Sequence, residues 1–193
     1  MRRLITGALF AYLRVFYRAK AALLRLIAGD EALAYVLHDS LFPALVLQIG
    51  GAKLGRNTRI NRWLTIHESR GSFRNLTIGD DVHIGKHVLI DLTGRVTIGN
   101  RAGIGMYSRI LTHQNLGDSA LSEKYPPEAG DIIIPDDVVL AAGSMVLYPT
   151  VLQPGTLVSA GSVTRGTYDR AGVLVGNPAR MSLDWRRSGE AKE

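Results

Sequence analysis

The chain has 193 residues, enough for one domain with a substantial core. With no cysteine it can hold no disulfide, no thiolate metal site and no cysteine nucleophile. The formal charge of +6 comes from one place: residues 1–29 carry Arg2, Arg3, Arg14, Arg18, Lys20 and Arg25 and no acid, which leaves 17 basic against 17 acidic residues in the remainder. One basic segment on a neutral body is not the footprint of a nucleic-acid-binding protein.

In chain order, residues 2–28 show helical periodicity, Gly29 suits a left-handed stop, and Asp30 suits the cap of a second helix over about 31–48. At about 100° per residue, Arg3, Arg14, Arg18 and Arg25 gather on one stripe, while Leu9, Tyr12, Phe16, Leu23 and Ile27 lie opposite; Arg2 and Lys20 fall at an edge from which they can snorkel. Such a helix suits the interface of an anionic membrane. It also suits packing of the apolar side on the protein body or on a partner. Arg14, Arg18 and Arg25 interrupt the apolar residues, so no membrane span and no secretory signal is expected, and the chain reads as cytoplasmic, soluble or peripheral.

From Leu54 onward aliphatic residues recur every six positions: Leu54, Ile60, Ile66; Ile78, Ile84, Ile90; Ile98, Ile104, Ile110; Ile134, Leu140, Val146; Leu152, Val158 and then Thr164. Four residues later stands a small residue or Val in most hexads, as at Val82, Ala102, Ser108, Ser144 and Ser162. A unit this short is a strand and a corner. Three such units close a triangular coil, and stacked coils bury a common aliphatic column. The departures from six, at 66 to 78, 90 to 98 and 110 to 134, each follow a third hexad, so every insertion falls at the same corner. The pattern predicts an all-β, parallel β-helix of about five coils preceded by helices. Its parts are a helical segment 1–49, a β-helix 50–172 with an insertion 116–133, and a closing segment and tail 173–193.

The aliphatic-Gly-x-x-small-x repeat and the ending Val175-Gly176-Asn177-Pro178-Ala179-Arg180 resemble the hexapeptide-repeat acyltransferases, and the stretch from His87 to His113 resembles their sugar O-acetyltransferase branch. The resemblance covers roughly residues 54–181. It implies a left-handed coil, acetyl-CoA as donor, a sugar-like hydroxyl as acceptor, and a homotrimer with donor sites shared between neighbouring β-helices. The opening around Leu47, Gly51, Ala52, Lys53, Leu54 and Gly55 resembles that of polysaccharide acetyltransferases and implies a surface-polysaccharide precursor.

On this resemblance His113, beside the long insertion, is the general base, the group that acyl transfer to a hydroxyl requires. Asp91 is an acceptor-binding residue, with a turn aspartate before Thr93-Gly94 as its simpler role, and His67 is a weaker acceptor-site candidate. Ala142, Gly143, Ala160 and Gly161 lie where the pantetheine arm runs in the family, and Thr164, Arg165 and Arg180 match its contacts to the CoA phosphates. Two departures stand out: Gln114 follows the histidine where the family commonly has proline, and Val139 replaces a common tryptophan. His83 and His87 fall on different faces, and Asp118 stands where a carbonic anhydrase of this fold would place a histidine, so no metal is expected. Competing readings are an amino-sugar N-acetyltransferase, transfer from an acyl carrier protein, and a non-catalytic trimeric scaffold.

Overall fold

The computed structural model describes residues 2–182, with side chains from residue 7 onward; the tail 183–193 and the side chains of Arg2 and Arg3 lie outside the described residues. Helix α1 (Arg2–Ala28) ends where expected, on Gly29 at φ +54°. The expected second helix is two: α2 (Ala32–His38) and α3 (Pro43–Ile49). Pro43 separates them, because it lacks the N–H that a continuous helix would need and bars helical geometry from the residue before it. Asp30 is not a cap; its carboxylate pairs with Arg25 of α1 at 2.9 Å.

The hexads build three flat faces of parallel strands. On the first, Leu54, Ile78, Ile98 and Ile134 are stacked in register. On the second the stack is Ile60, Ile84, Ile104, Leu140, Val158 and Leu174. On the third it is Ile66, Ile90, Ile110, Val146 and Thr164. These side chains fill the triangular interior. All are buried except Leu54 and Ile60 of the first coil. Each such side chain removed from water contributes about 1.5–3 kcal/mol. The second face continues beyond residue 172: Val173–Gly176 pairs in parallel with Leu157–Val158, making a partial sixth coil. Ala179–Ser182 then turns back antiparallel on it.

The coils lie so close that the glycine after a core aliphatic has a steric cause. A Cβ on Gly99 would come 2.5 Å from Asp136 N, and one on Gly105 2.6 Å from Ala142 N. One corner is tied by side chains reaching the coil below. Asp80, Asn100 and Asp136 accept from the backbone N–H of Arg56, Asp80 and Asn100 at 2.8 Å each. At the next corner, Trp63, His87 and Tyr107 stack their rings 4.9 and 5.0 Å apart, and Gly143 and Gly161 follow in the same left-handed backbone position. The open base of the first coil is covered by Val36 and Leu37 of α2, Val46 and Leu47 of α3, and Phe73, all fully buried.

Candidate active site

The third corner carries the insertions. After Ile110 the chain leaves the face through Leu111 and Thr112, and His113–Gln114 forms an antiparallel pair with Glu128–Ala129 at the base of the long insertion. One coil below, the Asp91 backbone is in strand but its side chain is turned inward and only 1% exposed. Its carboxylate is saturated. Oδ1 accepts from Thr93 N at 3.0 Å and Thr93 Oγ1 at 2.9 Å; Oδ2 accepts from Thr112 N at 2.8 Å, Thr112 Oγ1 at 2.6 Å and His113 Nδ1 at 2.6 Å. Burial alone pushes this carboxyl up, but the bonds from Thr112, His113 and Thr93 outweigh it and hold it below the ordinary carboxylate value.

The structure does not place Asp91 as an acceptor contact would require: its carboxylate, 1% exposed, is taken up by five donors, one of them His113. The simpler role is fulfilled, since the bond to Thr93 N is an aspartate turn. Because a carboxylate only accepts, Nδ1 carries the imidazole hydrogen, shared with Thr93 Oγ1 at 3.0 Å. Nε2 has no partner among the described residues, on a ring 21% exposed.

The His113 ring faces a cavity of about 220 Å³, lined also by Glu68, Arg70, Thr93, Asn115, Pro127 and Glu128. His67 lies in register with Asp91, and its ring stacks on His113 with centroids 5.8 Å apart; it is half-exposed at the rim, 3.9 Å from Glu68. Sequence reasoning missed Glu68 and Arg70. Both take left-handed backbone, φ +52° and +46°, in the loop after the first coil. That loop is held from behind, where Ser69, 5% exposed, donates to Asp30 O at 3.3 Å. Their signal was the insertion at the same corner as His113.

The expected donor-binding residues divide. Ala142 and Gly143 lie directly below Ala160 and Gly161 at the second corner, Gly161 N donating to Ala142 O at 3.2 Å, and a Cβ on either glycine would meet nothing within 4 Å. This is an open strip of backbone. Thr164 is not available to a ligand: it is fully buried, takes an aliphatic's place in the column and donates to Met145 O. Arg165 is exposed, its guanidinium 5.4 Å over the Tyr148 ring, and the Tyr148 hydroxyl donates to Glu128 on the cavity wall at 3.5 Å. Arg180 is exposed on the closing strand. His83 meets Asn61, while His87 belongs to the ring stack at the corner.

No family model matches the chain. Among solved structures, a hexapeptide-repeat acetyltransferase of Vibrio cholerae superposes with a TM-score of 0.68 over 84% of this chain and 90% of that one, at 20% identity. The fold is that of the hexapeptide-repeat acetyltransferases. It is a left-handed parallel β-helix, as the resemblance implied. The Vibrio cholerae protein complexed with acetyl coenzyme A gives a TM-score of 0.66 at 21% identity, over 78% of this chain and 82% of that one. AntD, an N-acyltransferase from Bacillus cereus in complex with dTDP and 3-hydroxybutyryl-CoA, gives 0.54 at 21% identity, over 68% of this chain and 71% of that one. In sequence, 107 residues are 35% identical to a probable serine acetyltransferase of Oryza sativa subsp. japonica, 52% of this chain. The match spans 33% of that relative's length.

Proposed function

We propose that the chain is an acetyl-CoA-dependent O-acetyltransferase acting on a sugar-like hydroxyl, with a surface-polysaccharide precursor as the acceptor class. The observation that carries this reading is the Asp91–His113 pair, which fixes the imidazole hydrogen on Nδ1 and leaves Nε2 open to a cavity. His113 Nε2 takes the hydroxyl proton as the acceptor oxygen attacks the thioester carbonyl. Backbone amides at the corner stabilise the oxyanion, and the buried Asp91 carboxylate stabilises the transient imidazolium. Collapse of the tetrahedral intermediate breaks the C–S bond; the departing thiolate receives the proton from His113, giving an acetyl ester and free CoA. Two observations support acetyl-CoA as donor: the open strip at Ala142, Gly143, Ala160 and Gly161, and the shared fold of an acetyltransferase complexed with acetyl coenzyme A.

Arg165 and Arg180 are the proposed phosphate contacts, His67 lines the acceptor side, and the site is completed in a homotrimer. The insertion supports the last point, presenting Leu116, Leu121 and Tyr125 to solvent beside the cavity. Contact of residues 2–28 with an anionic membrane is proposed separately from this chemistry. A second reading, transfer to an amino sugar, is favoured by the shared fold of AntD, an N-acyltransferase in complex with dTDP.

The test is release of CoA thiol from acetyl-CoA across sugars, amino sugars and nucleotide sugars. His113→Ala is expected to lower kcat by about 10²–10⁴-fold while CoA affinity stays nearly constant. A variant with full rate overturns the assignment.

A further inference from the structure

Helix α1 is about 40 Å long, at about 1.5 Å per residue, and only one side of it is used. Tyr17 and Ala21 are buried, and Leu13 and Leu24 pack beside them against the core. These are not the residues of the apolar stripe legible in the sequence. Leu9, Tyr12, Phe16, Leu23 and Ile27, with Val15 and Leu26, remain exposed, by 47% for Phe16 and up to 87% for Ile27. Packing on the protein's own body is thereby removed as the explanation of that stripe.

On a helical projection this exposed arc spans roughly 120°. Lys20 lies at one edge and Arg18 at the other. Arg14 is engaged with Gln48 and Arg25 with Asp30, whereas Arg18 has no carboxylate within salt-bridge distance among the described residues. The Arg18 edge opens on a cleft of about 300 Å³ lined by Arg18, Ala21, Arg25, Asp30, Leu33 and Gly71. No acidic residue occurs anywhere in the helix.

We infer that this face of α1 lies in the surface of a bilayer containing anionic lipid, with the aliphatic and aromatic arc among the acyl chains and Arg18 and Lys20 at the headgroup phosphates. The charge pattern selects lipid over a face-to-face pairing of two such helices. Two such helices meeting face to face would align cations with no carboxylate to pair them, whereas an anionic headgroup layer supplies the missing charge along both edges. No described helix is long and apolar enough to cross a membrane, so the contact is one of lying on the surface. The inference stands apart from the transfer chemistry and is tested without it.

The experiment is co-sedimentation of the full chain with phosphatidylcholine vesicles, with and without phosphatidylserine. The wild type is expected to pellet with the anionic vesicles and largely to stay in solution with the neutral ones. Leu23→Glu and Phe16→Glu alter exposed side chains, so the fold is retained, and each is expected to weaken partitioning about tenfold or more. Arg18→Gln and Lys20→Gln are expected to weaken it about fivefold per charge, on anionic vesicles only. Wild-type protein that ignores both vesicle types, or a Leu23→Glu variant that pellets like wild type, overturns the inference. So does sedimentation velocity in which Leu23→Glu splits an oligomer that binds no lipid, since the occupant is then another copy.

Discussion

Replacing Asp91 by asparagine keeps the shape of the side chain and removes the property on which the site depends. The carboxylate faces five donors and no acceptor: two on Oδ1 and three on Oδ2. An amide brings two hydrogens of its own. Placed toward Thr93, its NH₂ can be accommodated by rotating the Thr93 hydroxyl, but the Thr93 backbone N–H is left without a partner, at a cost of about 1–3 kcal/mol. Placed toward Thr112, it orphans that N–H instead, and it is satisfied by His113 only if the ring reverses its tautomer. Nε2 then carries the hydrogen and cannot take one from an acceptor. Either placement also removes the negative charge that stabilises the imidazolium, so D91N is expected to lose about 10²–10⁴-fold in kcat with little change in CoA binding. The pH dependence of stability gives a second readout. Held below its unfolded value of about 3.9, the wild-type carboxylate contributes stability that is fully present above that pH and is lost as pH falls through the lower folded value. Denaturation curves across this acid range should be flatter for D91N than for wild type. A D91N enzyme with the wild-type kcat refutes this role of Asp91, whatever its stability.

Arg165→Ala and Arg180→Ala should each weaken CoA more than dephospho-CoA if the side chain meets the 3′-phosphate; isothermal titration with both ligands checks this, and equal losses remove that role. Sedimentation velocity should show a trimer, and an active monomer would overturn the shared site.

The repeat was legible because packing of a triangular column repeats every six residues whatever the surface carries. Even the sixth-coil strand Val173–Gly176 obeys the rule once Leu174 is placed above Val158. Its recognition was blocked by the longer interval after Thr164. The break at Asp39–Phe42 was readable from Pro43, but the apolar pattern on both sides suggested one continuous helix. The site was legible in its members more than in its roles. Asp91 and His113 stand at one corner, but sequence spacing does not say that a strand-end aspartate turns inward. Thr164 looked like a ligand contact because it breaks the aliphatic series, whereas in the column its hydroxyl is satisfied by Met145 O and its methyl packs. Nor does periodicity reveal that Trp63, His87 and Tyr107 occupy the left-handed position that glycine holds in the next two coils.

A column of parallel coils ends, in principle, in an unpaired ladder at each end, and such an edge is a template on which another copy can add without limit. This chain closes both. At the base, α2, α3 and Phe73 lie across the first coil. At the top, Ala179–Ser182 reverses direction against Val173–Gly176 and carries Arg180 on the side left to solvent. Among the described residues the outermost strand thus runs the wrong way for another parallel coil, with Met181 over Leu174 in the column and the charged Arg180 beside it. The closing strand is in this sense a stop against fibre growth.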